Sequence, residues 1–124
     1  MRRPSLFFLL LILFCTPVFA RNDPFELYRN GRYQNAIDSA LNMLKDNERN
    51  IDLYVVLCWS LIALERYESA ANYAVRGRIV SRYDPRIVET LGEALFHLGQ
   101  NLEALRLFEE YVQLAPEGAR IDQA

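Results

Sequence analysis

The stretch PRIVETLGEALFHLGQNLEALRLFEEYVQLAPEG, residues 85–118, repeats the pattern of IDLYVVLCWSLIALERYESAANYAVRGRIVSRYD, residues 51–84, at a shift of 34 with no gap. Leu57 aligns with Leu91, Leu61 with Leu95, Ile62 with Phe96, Ala70 with Ala104 and Ala71 with Leu105. The columns run back into residues 23–50, where Leu27, Tyr28, Ala36 and Ile37 fill them. Tyr33 matches Tyr67, and Gly31 matches Gly99 with Glu65 between them. A fixed period of this size marks a repeat architecture, in which each unit buries its apolar face against the next.

Each unit reads as two helices. Asp23-Pro24-Phe25-Glu26 combines an N-cap aspartate, a proline at the first helical position and the glutamate of a capping box. Asp84-Pro85 repeats the cap and proline, and Asn50 is the candidate cap between them. Tyr33, Ala36, Ile37, Ala40, Leu41 and Leu44 recur at steps of three and four, the spacing of one helix face. The spacing predicts helices over 23–30, 33–46, 51–64, 67–81, 85–98 and 101–114. No stretch alternates with period two, so the expected class is all-α.

These units resemble the tetratricopeptide repeat (TPR) family, whose 34-residue units are helix-turn-helix pairs. The resemblance rests in residues 85–118 on Leu91-Gly92, Gly99, Ala104, Phe108 and Pro116. In residues 51–84 it rests on Tyr54, Leu57, Tyr67, Ala70 and Ala74, without the turn glycine or the terminal proline. It implies a short right-handed α-solenoid of about six helices over residues 21–118, in units 21–50, 51–84 and 85–118, before a short polar tail, 119–124. Ala36, Ala70 and Ala104 are small where paired helices must cross closely, and Cys58 and Gly92 are equivalent small positions. A lone cysteine of this kind reads as a small buried hydrophobe.

In this family the first helices of successive units line a concave groove for peptides or protein segments. Carried over by position, the groove residues are Asp52, Val55, Trp59 and Ile62 from one unit and Arg86, Glu89, Glu93, Phe96 and His97 from the next. Family members that grip a C-terminal carboxylate use Lys and Asn at such positions. Here Val55, Trp59, Glu89 and Glu93 stand there, so the carboxylate clamp is absent. What remains is an apolar-aromatic patch beside acids, suited to an amphipathic helix or extended segment with basic flanks. Trp59 is the best anchor candidate, since Trp is enriched at binding hot spots, and it is equally a candidate for the inter-unit core.

The segment before the repeats reads differently. Met1-Arg2-Arg3 is basic, Leu6 to Cys15 is apolar throughout, and Val18-Phe19-Ala20 places small residues at −3 and −1 of a cleavage point. This is the pattern of a secretory signal peptide, residues 1–20, cut after Ala20. An uncleaved anchor is the alternative, although spanning takes about 17–25 apolar residues. A lipid-modified Cys15 is a third reading, opposed by Phe14 before it. The expected localisation is exported, periplasmic or secreted in a bacterium. Without the leader, 104 residues remain at a net charge of −4, with Cys58 the one cysteine. A single cysteine forms no internal disulfide, so packing must hold the domain.

Enzyme chemistry finds little footing. The whole chain carries a net charge of −2 and one histidine, His97. A chain of this charge is not expected to bind nucleic acid, which calls for a basic excess. There is no phosphate-binding loop, nucleophile elbow or zinc-protease motif. No catalytic residue, metal or cofactor is expected. Glu89 and Glu93 share a helix face at i and i+4, where like charges cost a few tenths of a kcal/mol. Arg76, Arg78, Arg82 and Arg86 crowd eleven residues, and arginine suits bidentate recognition of carboxylates or phosphates. Helix ends also favour such cations.

The last helix carries a wide apolar arc. Ala104, Leu105, Phe108 and Val112 form one stripe, and Leu107, Tyr111 and Leu114 extend it. A solenoid end calls for a polar cap, so Leu107, Tyr111 and Leu114 are expected to meet a second copy, as a homodimer, or a partner protein. Two functions follow. One is a non-catalytic exported scaffold or adaptor for protein–protein interaction. The other is an accessory or regulatory subunit of an envelope enzyme, transporter or assembly machine, membrane-anchored if the leader stays uncleaved.

Overall fold

A computed structural model describes residues 23–115. The expected leader with its cleavage site, Pro116 with Gly118, and the tail 119–124 lie outside the described residues. Six helices follow in order: α1 (Pro24–Arg29), α2 (Tyr33–Leu44), α3 (Ile51–Ala63), α4 (Tyr67–Val80), α5 (Pro85–His97) and α6 (Asn101–Leu114). Among the described residues there is no strand, as the periodicity predicts. None of these helices is long and apolar enough to cross a membrane.

The first helix of each unit has a side-chain cap. Asp23, Asn50 and Asp84 each accept a hydrogen bond from the backbone N–H two residues on, at 3.1, 3.1 and 3.0 Å. Glu26 departs from the capping box: its carboxylate pairs with Arg29 at 2.8 Å. The turns inside the three units are built alike. Gly31, Glu65 and Gly99 lie in the left-handed region, with φ of 76°, 59° and 81°. Each donates its N–H to the carbonyl three residues back, and the next residue donates to the carbonyl five back, as in Leu27–Arg32 (2.8 Å), Leu61–Arg66 (2.8 Å) and Leu95–Gln100 (2.9 Å). That hydrogen-bonding pattern is a Schellman turn. The Gly31/Glu65/Gly99 column of the sequence is therefore a column of identical backbone, met by glycine twice and glutamate once.

Consecutive helices pack as neighbours, and α3 also packs against both α1 and α5, so the three form one row with α3 in the middle. The second helices α2, α4 and α6 flank that row, with α4 tied to α6 by Arg78–Glu110 at 2.8 Å. Ala36, Ala70 and Ala104 are 0%, 0% and 1% exposed, which places all three repeat alanines at helix crossings. Gly92 is tighter still, since a Cβ there would stand 2.9 Å from the Phe108 ring.

The core centres on α3, whose residues Leu53 to Cys58 are buried without interruption. A helix apolar on all sides belongs inside, and α3 is in contact with α1, α2, α4 and α5. Cys58 is fully buried, with its thiol 3.6 Å from the Ala70 carbonyl. Burial pushes that thiol up to about 12.

Candidate interaction groove

Three first helices contribute to one cavity of about 340 Å³, lined by Tyr28 of α1, Trp59, Ile62 and Ala63 of α3, and Glu89, Thr90 and Glu93 of α5. The 34-residue period explains the assembly: Tyr28 and Ile62 belong to one column, and the row of first helices brings that column to one surface. Trp59 is half-buried. Phe25 meets it edge-on at 6.3 Å between ring centroids, and Tyr28 lies tilted against it at 5.6 Å. Tyr28 in turn rests on Tyr33 at 5.6 Å. These rings hold the indole in place while part of it faces the cavity.

The acidic side of the cavity is Glu89 and Glu93. Glu89 is half-buried, and burial followed by repulsion from Glu93 raises its carboxyl above the usual carboxylate range. Glu93 is exposed and helps burial and Tyr33 to raise the Tyr28 hydroxyl. Thr90 is turned inward, its hydroxyl donating to the Arg86 carbonyl at 2.6 Å.

Asp52 and Arg86 form a separate polar site at the start of α3 and α5. The Arg86 guanidinium bridges Asp84 at 2.8 Å and Asp52 at 2.9 Å. Its hydrogen bond to Asp84 holds that carboxyl below the usual range. The crowded arginines are thereby divided: Arg86 links two units, Arg78 links two helices, and Arg76 and Arg82 lie over Tyr73 and Tyr83. Glu110 is the partner of Arg78.

Four of the expected groove residues, Trp59, Ile62, Glu89 and Glu93, line the cavity together. Val55 does not. It is 0% exposed, because α3 is covered by its neighbours and the side of the helix carrying Val55 faces into the core. Phe96, in the same column as Tyr28 and Ile62, is 56% exposed and lies outside the cavity lining. His97 is exposed and stacks flat on Tyr67, with centroids 4.2 Å apart and planes 9° from parallel. Tyr28, Ala63 and Thr90 line the cavity without being among the expected groove residues. Tyr28 was visible in its repeat column, whereas Thr90 carries no sequence signal of its place.

The last helix covers the residues expected to be its contact face. Leu107 is buried beneath Gly92, and Tyr111 and Leu114 pack partly against the core. The outward apolar side is Leu102, Leu105 and Val112, at 66%, 53% and 41% exposure. Leu105 shows why. Its column-mates Ile37 and Ala71 are 4% and 7% exposed, each with a following helix beside it, and none of the described helices follows α6. Among the described residues no three His, Cys, Asp or Glu side chains are grouped to hold a metal ion.

No family model matches this chain, and no curated protein does. Solved structures do match. SycD, the type III secretion translocator chaperone of Yersinia enterocolitica, is similar over 81% of this chain and 76% of its own, at 18% identity and a TM-score of 0.74. The second TPR domain of human RPAP3, solved with an HSP70 peptide, is similar over 79% and 82%, at 19% identity and a TM-score of 0.74. The Arabidopsis OM64 TPR domain is similar over 79% and 81%, at 16% identity and a TM-score of 0.75. Three helical pairs, a shared Schellman turn and these likenesses agree: the chain has the tetratricopeptide repeat fold.

Proposed function

We propose that this chain is a non-catalytic, exported scaffold that holds a protein segment against the row formed by α1, α3 and α5. The observation that carries the proposal is the cavity at Trp59, where aromatic rings and two carboxylates from three helices meet. Aromatic anchors beside polar rims are the composition of binding hot spots. RPAP3 with its HSP70 peptide supports the use of this fold for holding a peptide. The bound segment is apolar with basic flanks, which matches the acidic wall. Export rests on the signal-peptide pattern of residues 1–20.

The test is recovery of partners by affinity purification with the wild type, Trp59→Ala and Glu93→Lys. Glu93 is exposed, so its reversal leaves the fold intact and changes the groove's charge. Loss of the same partner on both changes is expected; retention on both refutes groove binding. Fractionation of the expressed protein tests export, and retention of the leader in the cytoplasm refutes it.

A second role has its own observation. The outward side of α6, with Leu102, Leu105 and Val112, favours attachment to a larger envelope assembly or to a second copy. A partner kept by Glu93→Lys and lost by Leu105→Glu supports that role.

A further inference from the structure

Some of the carboxylates are neutralised within the chain. Glu26, Asp52, Asp84, Glu103 and Glu110 each pair with an arginine. Among the described residues Glu89 and Glu93 have no cationic partner, although they stand one turn apart on α5 and repel each other. The nearest arginine in sequence, Arg86, cannot serve them, because its guanidinium is held by Asp84 and Asp52. Thr90, between them, spends its hydroxyl on the Arg86 carbonyl. The two carboxylates are left facing a cavity whose other wall is Trp59 and Tyr28.

That combination has a chemical meaning. Ring faces attract cations, Trp most strongly, and the attraction grows as water is excluded. A half-buried carboxylate beside a second one is costly alone and favourable once a positive charge is added. The cavity, about 340 Å³, is at the small end of ligand-sized sites, suited to one long side chain. Among the described residues no third His, Cys, Asp or Glu joins the pair to form a metal-holding group.

We propose that the Tyr28–Trp59–Glu89–Glu93 cavity is a receptor for one basic side chain, an arginine or lysine of the bound protein segment. The aliphatic stem lies along Trp59 and Ile62, and the charge rests between Glu89 and Glu93. This rests on the groove reading above and adds to it the chemistry of the residue recognised.

The experiment uses three acetylated, amidated peptides, ALRLA, ALQLA and ALELA, titrated against the protein. Trp59 is the chain's one tryptophan, so its fluorescence reports the cavity directly. ALRLA is expected to bind about tenfold tighter than ALQLA, with ALELA weakest. The Glu89→Gln/Glu93→Gln double variant, checked for folding by circular dichroism, should lose this preference of ALRLA over ALQLA. Equal binding of ALRLA and ALQLA overturns the cation receptor and leaves the groove standing. A preference that survives in the double variant also overturns it. Binding of none of the three overturns both the receptor and the groove.

Discussion

Replacing Glu65 by glycine should stabilise the protein, although it removes a side chain and adds chain entropy. Glu65 occupies the left-handed turn between α3 and α4 at φ 59°, where its repeat equivalents are Gly31 and Gly99. A side chain in that region costs roughly 1–2 kcal/mol. Against it stands the conformational freedom glycine restores to the unfolded chain, about 0.5–1 kcal/mol. The Glu65 side chain is exposed and makes no hydrogen bond or ion pair among the described residues, so nothing else is lost. The net gain is about 0.5–1 kcal/mol, which raises Tm by roughly 2–8 °C in a domain of this size. Thermal unfolding followed by circular dichroism measures it. Gly31→Ala and Gly99→Ala are the controls with opposite sign. A Cβ at either glycine meets nothing within 4 Å, so their cost is conformational alone and should be of similar size. Unchanged or reduced stability of Glu65→Gly, together with cost-free alanines, would refute the shared left-handed turn.

Four other outcomes follow from the same structure. Cys58 should resist thiol reagents in the folded protein and react only on unfolding, because it is fully buried and its thiol is raised to about 12; rapid labelling of native protein would contradict this. Leu107→Ala should cost about 2–5 kcal/mol as a core truncation, while Leu105→Ala should stay within about 0.5 kcal/mol, and denaturant unfolding separates them. Arg86→Met should cost up to about 1 kcal/mol near neutral pH. The Asp84 carboxyl is lowered by Arg86, so this difference is present above 3.8, the ordinary aspartate value, and fades as the pH falls through the depressed one. Glu89→Gln should act in the other direction. Its carboxyl is raised in the fold, so ionisation weakens the folded state at neutral pH; the variant gains a few tenths of a kcal/mol there, and the gain disappears in acid.

The fold was legible because its determinants are local and repeated. Caps at Asp23, Asn50 and Asp84 and a turn column at Gly31, Glu65 and Gly99 act within a few residues of themselves, and the small residues Ala36, Ala70 and Ala104 recur at the period. The site was legible where the period carries it, at Trp59, Ile62, Glu89 and Glu93. Val55 was misplaced because position in a repeat says which helix a residue is on, not how many neighbours surround that helix. The run Leu53 to Cys58, apolar at every position, was the available signal that α3 is enclosed. Leu107, expected at an exposed contact, is buried for a related reason, and Leu105 is the exposed residue. Both lie on a broad apolar arc, and only the packing of α6 on Gly92 decides which edge of the arc is covered. Thr90 and the division of the arginines depend on tertiary pairing, which no spacing encodes.

The central claim is spatial: a partner segment lies across the first helices, at the cavity beside Trp59. A photo-crosslinking amino acid placed at Ile62, inside the cavity, and separately at Val75, exposed on α4, tests it in the cell that makes the protein. A discrete crosslinked product is expected from position 62, absent from position 75 and lost when Glu93→Lys is added. A product from position 75 with none from position 62 would contradict it.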